Sequence, residues 1–347
     1  ICERKIIMED KCVSIILPVY NAVNYIEKTI TSVLNQTYKN FELIIVDDGA
    51  TDGTSEICRN YAQKDYRISY YKQNNFGTAV ARNRGIELAK GEYIAFLDHD
   101  DEYLPHFLEE LLEISEEDDE LIKCGVIFRE EYINGKASER KDVFYNEKLS
   151  QKDLLDDFCN LPIAFFGVWN ALYKLETIKN SGVRFPVDMR HGEEDYYFNT
   201  ALIPYITNVK FSSKCMYKHY RRLNQSTSAK YYDDRIDAML KQYEMEINMF
   251  KKSYKGSKNI KSIEAILYSR KVVGIISYCY STLKTDVFNK CIENIEQLNE
   301  KVKNLEADSS EKFRLSELPI KYRIIYFLTV HRFYVVLIRL WTLKNRR

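Results

Sequence analysis

The sequence predicts an α/β fold: a mostly parallel sheet with helices on both faces, followed by a helical C-terminal region. Three observations predict it. From Val13, apolar β-branched runs alternate with stretches of helical spacing; polar and acidic residues gather just past those runs; and after Asp233, long stretches without Pro carry Ile, Leu, Tyr and Phe at helical spacing.

Taken in order, residues 13–17 are a short apolar run ended by Pro18, as a buried parallel strand requires. Ile26, Ile30, Val33 and Leu34 share one helical face. Residues 41–46 are the second strand, Ile57 and Tyr61 mark a helix, 67–71 the third strand, 78–90 a helix and 92–97 the fourth strand. Such a βαβαβαβ order gives parallel strands joined by right-handed crossovers. The middle is less regular: Asn134-Gly135 suggests a hairpin, 153–158 a short helix and 194–202 another. The predicted organisation is a leader at 1–11, an α/β domain at 12–232 and a helical region at 233–347.

With 347 residues the chain is long enough for two domains of about 100–200 residues each. Lys plus Arg equals Asp plus Glu at 51 each, so the chain lacks the global positive field of a nucleic-acid binder, and no nucleic acid is expected. The eight cysteines include no C-x-x-C pair, which argues against a zinc ribbon or a disulfide scaffold and for thiols in a reducing compartment. Residues 1–11 lack the continuous apolar stretch of a signal peptide, so the expected location is cytoplasmic.

In parallel α/β sheets ligands bind outside the carboxyl ends of the strands. Asp98-His-Asp-Asp101 follows the fourth strand, and carboxylates crowded there suit Mg2+ or Mn2+ shared with a phosphate; the alternative is a solvated turn capping the next helix. Asp47-Asp-Gly-Ala-Thr-Asp-Gly53 follows the second strand, where one carboxylate suits a base or ribose and Asp52 and Thr54 look like helix caps. Glu194-Asp195 opens a predicted helix, where acidic residues serve either the helix dipole or general-base chemistry. The cluster from Lys218 to Ser228 is basic and then hydroxyl-rich, suited to gripping a diphosphate or to a solvated strand. Neither G-x-G-x-x-G nor a P-loop is present.

The runs 13–21, 32–38, 41–49, 75–77 with 81–85, 91–98 and Glu194-Asp195 together resemble the family 2 inverting glycosyltransferases with the GT-A fold, over residues 13–228. That resemblance implies a nucleotide-sugar donor, UDP-linked, and a glycan acceptor in bacterial cell-surface polysaccharide synthesis. It implies Pro18, Tyr20, Asp48, Asn75 and Arg82 on the donor, and Asp98 and Asp100 as the D-x-D, with Asp100 the direct ligand of Mn2+ or Mg2+ and Asp98 nearer the donor ribose or the metal shell. His219 is a candidate third ligand or an ordinary strand histidine. Asp195 matches the general base, and Arg221, Ser226 and Ser228 match a loop over the diphosphate. Trp169, Asn170 and Glu194 are candidates for the acceptor side, with a packed core as the alternative for the first two. Ala50 and His99 depart from the commonest motif. A non-catalytic partner retaining the fold is the competing reading; a sugar nucleotidyltransferase is disfavoured because Pro18-Val-Tyr-Asn21 replaces its glycine-rich loop.

Residues 318–347 carry seven Lys or Arg and no Asp or Glu among Ile, Phe, Tyr and Trp. The apolar run is interrupted by His331, Arg332 and Arg339, short of the roughly 20 residues needed to span a bilayer. It reads as one basic amphipathic helix over 319–347, either lying on an anionic membrane, which would favour a lipid-linked acceptor, or docked on protein.

Overall fold

The computed structural model describes residues 11–132, 135–158, 161, 163–222, 230–254, 260–283, 285–306 and 319–344. Its first strand, β1 (Val13–Val19), continues through Pro18, where the apolar run was expected to stop. Val19 O accepts from Asp48 N on the β2 side and Ile16 O from Leu97 N on the β4 side, so alternation turns the N of Pro18 toward the β4 side, past that strand's last paired residue, Phe96. The missing N–H therefore breaks no ladder.

Strand β1 lies between β2 (Phe41–Asp47) and β4 (Tyr93–Phe96), with β3 (Ile68–Lys72) beyond β2, and all these pairs are parallel. The crossovers are α1 (Ile26–Leu34), α2 (Thr54–Lys64) and α3 (Thr78–Leu88). Every residue of β1 is buried because helices cover both faces. Helix α3 approaches β1 closely: a Cβ on Gly85 would stand 2.4 Å from Ile16 Cγ2, so this turn tolerates glycine alone. Arg82, one turn earlier, is carried onto the strand ends.

Beyond β4 the sheet turns mixed. The further strands are β5 (Glu102–Tyr103), β6 (Leu121–Glu131), β7 (Ala137–Asp142), β8 (Lys148–Ser150), β9 (Ala171–Lys174) and β10 (Asn208–Arg222). The order is β3-β2-β1-β4-β9-β6-β10-β5, with β7 on β6 and β8 on β10. Strand β10 runs parallel to β6, while β9 is antiparallel to β4 and β6. Asn134 lies outside the described residues, but β6 and β7 form the antiparallel pair its Asn-Gly signal predicts, and Gly135 has φ 76°. Helices α4 (Phe107–Ile114), α5 (Gln151–Asp157), α6 (Ile163–Phe166), α7 (Leu175–Ser181) and α8 (Glu194–Leu202) complete this part. Helix α5 is capped by Ser150 Oγ, which accepts from Asp153 N at 3.3 Å.

The described residues divide into two compact units, 11–190 with 194–222 and 191–193 with 230–344. The second is helical: α9 (Asp233–Ser253), α10 (Ile260–Thr282), α11 (Val287–Glu306), α12 (Ile320–Val330) and α13 (Tyr334–Lys344). Helix α10 is the centre; Ile263, Leu267, Val272, Ile275 and Cys279 bury it around its circumference. No helix of the described residues is long and apolar enough to cross a membrane.

The single helix expected over 319–347 is two. Arg332 adopts φ 61°, Phe333 N donates to Leu328 O at 2.7 Å and Arg332 N to Thr329 O at 3.0 Å, which is a Schellman stop. Helical spacing alone does not reveal it, because an arginine occupies the left-handed position that glycine usually takes. Arg332→Gly is expected to raise stability by about 1 kcal/mol, since its ion pair to Glu300 is long and exposed. A urea midpoint that fails to rise would count against this stop.

Candidate active site

The first carboxylate cluster is a tight turn at the end of β4, with Asp101 N donating to Asp98 O at 3.1 Å. Its three acids differ. Asp101 is wholly buried and structural: it accepts from Tyr217 OH (2.7 Å), His219 Nδ1 (2.8 Å) and Tyr220 N (2.8 Å), which pins the turn to β10. Asp100 accepts from Arg222 Nη1 at 2.9 Å, and burial and the neighbouring Asp101 push its pKa up to about 6. Asp98 accepts from Arg82 Nη2 at 2.8 Å.

Arg82 joins this turn to the second acidic pair. Its side chain is 3 % exposed, and Nη1 donates to Asp195 Oδ1 at 2.5 Å and to Glu194 Oε1 at 3.1 Å. Burial opposes the guanidinium charge, but Asp195, Asp98 and Glu194 more than offset it and hold the pKa above its ordinary value. Burial pushes Asp195 up to about 7, with Glu194 and Asp98 adding to the rise and Arg82 opposing it. Burial raises Glu194 as well, against Arg82. Residues 98 and 195, nearly a hundred apart in sequence, thus share one cation.

The second strand end is self-satisfied. Asp47 accepts from Ala50 N (2.8 Å), Tyr70 OH (2.5 Å) and Ser55 Oγ. Asp48 accepts from Gln73 Nε2 (2.8 Å), Phe76 N (2.9 Å) and Gly77 N (2.8 Å), so it braces the loop that leads into α3. Gly49 at φ 80° lets that loop close, since a Cβ there would meet Asn75 N at 3.1 Å. Ala50 is 6 % exposed, which explains why the departure from serine is tolerated. Asp52 caps α2 from two residues before Thr54, accepting Thr54 N at 3.1 Å, while Gly53 takes the N-cap position itself. Tyr20 is 41 % exposed and Asn75 is exposed, both just past the strand ends; Pro18 is buried in β1.

Not every candidate lies at the surface. Asn170 is fully buried, donating to Cys124 O at 2.5 Å, and Trp169 stacks on Tyr217 (4.7 Å) and His219 (5.4 Å). Both belong to the packed interior, the alternative given for these two residues. Arg221 reaches Glu130 Oε1 at 3.5 Å, whereas its neighbour Arg222 holds Asp100 and lies over Tyr25 (4.1 Å) and Tyr220 (4.7 Å). The basic cluster identified the strand end but not which arginine turns to the D-x-D. Ser226 and Ser228 lie outside the described residues.

Asp98, Asp100 and His219 fit a divalent cation in donor chemistry, with hard carboxylates whose mutual repulsion such an ion relieves. His219 Nδ1 donates to Asp101; burial opposes charging the ring, yet Asp101 pushes its pKa up to about 9, so at neutral pH Nε2 also carries a proton, which a metal ion bound there would have to displace. The three do not converge within 4.8 Å. Among the described residues Glu116, Asp118 and Asp119 do, but Lys148 bridges all three at 2.8, 3.4 and 3.0 Å and Lys210 reaches Glu116 at 2.9 Å, so ammonium groups already occupy the cluster.

A parallel α/β half with a D-x-D at its fourth strand end, tied through a buried arginine to a late Glu-Asp pair, defines a GT-A glycosyltransferase. Residues 14–180 match the glycosyl transferase family 2 profile. The chain is 31 % identical over 241 residues to glycosyltransferase EpsJ of Bacillus subtilis, itself uncharacterised, covering 69 % of each chain. It is also 31 % identical over 259 residues to glycosyltransferase GlyA of Streptococcus pneumoniae; the match covers 70 % of this chain but 36 % of GlyA, so the chain spans about a third of that protein. The crystal structure of S. aureus TarS residues 1–349 with UDP-GlcNAc shares the fold at TM-score 0.57 and 17 % identity, covering 85 % of this chain and 92 % of that one. The chain belongs to glycosyl transferase family 2 and is a glycosyltransferase.

Proposed function

We infer that the chain transfers a hexosyl or N-acetylhexosaminyl group from a UDP-sugar to a hydroxyl of a glycan acceptor, with inversion, in cell-surface polysaccharide synthesis. The observation that carries this reading is the Arg82 hub, which holds the D-x-D aspartate Asp98 and the acid Asp195 on one guanidinium. TarS, solved with UDP-GlcNAc, supports a UDP-linked donor through the shared fold.

In this reading Tyr20, Asp48 and Asn75 surround the base and ribose, Asp48 by bracing the 73–77 loop. Asp100 and Asp98, with His219 as a candidate third ligand, would hold Mn2+ or Mg2+ once drawn together by the ion, and the ion would supply charge neutralisation for the diphosphate. Arg221, Ser226 and Ser228 are assigned to grip that diphosphate. Asp195, with a pKa near 7, takes the proton of the acceptor hydroxyl as its oxygen attacks the anomeric carbon opposite the leaving group, and a single displacement inverts configuration. Glu194 faces the acceptor side. Arg82 keeps the base aimed without protonating it.

A panel of UDP-glucose, UDP-galactose, UDP-GlcNAc and GDP-mannose, with and without Mn2+, tests this. One donor is expected to be hydrolysed slowly and to raise the melting temperature only with the metal. Binding of UDP and Mn2+ without hydrolysis or transfer would favour the non-catalytic reading instead.

The helical unit supports a lipid-linked acceptor at the inner face of the membrane. Ile320, Ile324 and Phe327 on α12, and Val336, Leu340 and Leu343 on α13, are each 44–73 % exposed, and Lys321, Arg332 and Arg339 stand among them. Apolar side chains edged by cations suit anionic headgroups. Full chains carrying Phe327→Ser with Leu340→Ser are expected to lose flotation with phosphatidylglycerol vesicles; equal flotation would remove the membrane from the proposal.

A further inference from the structure

The three residues immediately before Glu194 belong to the helical unit, although the chain on either side of them belongs to the first. Each is held there. His191 Nδ1 donates to Asp234 Oδ2 at 2.6 Å, and its ring lies parallel to that of Tyr232 with the centroids 3.9 Å apart. Glu193 Oε1 accepts from Arg235 Nη2 at 3.5 Å, and that guanidinium lies over the Tyr278 ring at 4.8 Å. Gly192 passes close to the same arginine, since a Cβ there would stand 3.0 Å from Arg235 Nε. Tyr278 of α10 steadies the receiving residues, because its hydroxyl also accepts from Tyr232 N at 2.6 Å.

The backbone of this segment is strained. Gly192 has φ 124° and Glu193 has φ 71°, so two successive residues sit at positive φ, where a glutamate rarely goes. A conformation of this kind persists only where surrounding side chains impose it, and such outliers gather at functional sites. The next two residues are the acids held by Arg82, in the first turn of α8. One peptide bond joins Glu193 to Glu194, so a rotation at residue 192 or 193 would re-aim both acids. The His191–Asp234 pair is half-exposed, and an ion pair in that setting adds little to stability. Its effect is on the path of the chain more than on whether the chain folds.

We propose that these contacts are a positioning clamp for Glu194 and Asp195: Tyr232, Asp234 and Arg235 hold residues 191–193 and so fix the backbone from which the two acids leave. The functional part of this inference rests on Asp195 being the base. It gives the helical unit a part in turnover that is separate from any part at a membrane. Arg82 also holds both acids, so the contribution of the clamp has to be isolated.

Full chains carrying His191→Ala and, separately, Arg235→Met test this in two measurements. Amide hydrogen exchange of the peptide 191–198 is expected to accelerate about tenfold in each, and kcat with the donor selected above to fall about tenfold with donor KM unchanged. His191→Asn, whose amide nitrogen stands where Nδ1 does and can still donate to Asp234, is expected to recover most of both. Lys290→Met removes a different ion pair at the start of α9, to Asp233 at 3.2 Å, and is expected to change neither. Wild-type kcat or unchanged exchange in a folded His191→Ala chain, an equal fall in Lys290→Met, or a rise in donor KM in place of the fall in kcat overturns the proposal. If Arg235→Met does not fold, Gly192→Ala, which presses a Cβ onto that arginine, is measured by the same criteria. Asp195→Asn separates the two readings: wild-type turnover there removes the base, and the exchange rates still report whether the clamp holds the segment.

Discussion

Arg82→Met is expected to abolish measurable transfer and to destabilise the fold by about 3–5 kcal/mol, because it leaves three carboxylates facing one another with no cation. The loss has a sign in pH. Asp195 has a folded-state pKa near 7, raised from 3.8, so the folded chain binds the extra proton; the stability this contributes is full below the unfolded value and is lost as pH rises through about 7. Without Arg82 the folded pKa rises further, so the stability difference between variant and wild type is greater at alkaline than at mildly acidic pH. Chemical denaturation at both ends of that window checks it. Equal stability differences at the two ends would show that Arg82 does not carry the charge balance of the site.

Asp195→Asn is expected to lower kcat by about 100- to 10,000-fold, the range of a lost general base, with donor KM nearly unchanged. Burial penalises the charged carboxylate, so the neutral amide should not lower the melting temperature at alkaline pH, and a fall in rate will not be a fall in folded fraction. The wild-type rate is expected to rise with pH through about 7 as the base ionises. Unchanged turnover in the variant would take Asp195 out of the mechanism.

These two residues show how far the chain could be read before its structure. Asp195 was legible because acidic residues at a predicted helix start are a local pattern, and the resemblance to family 2 attached a role to it. Arg82 was legible only as one letter of a motif. Its place at the centre of the site depends on the close approach of Gly85 to β1, a distance that no spacing rule supplies. Asp101 was the reverse case: it stood among the crowded carboxylates of D-x-D-D, yet three donors from β10 hold it as a structural group. The break at Arg332 was hidden because its signal is a backbone angle and the residue there is not glycine.

What the sequence by itself determined is the alternation of strand and helix from Val13, the positions of the acidic turns past the strand ends and membership in the glycosyltransferases, because each is written in contiguous residues whose periodicity and turn chemistry act locally. The tertiary structure alone decided which carboxylates are structural and which arginine holds the D-x-D. It also decided that Trp169 and Asn170 are core and that Asp98 and Asp195 share one guanidinium. Charge and burial at those positions come from side chains distant in sequence, and they exist only once the sheet and α3 bring them together.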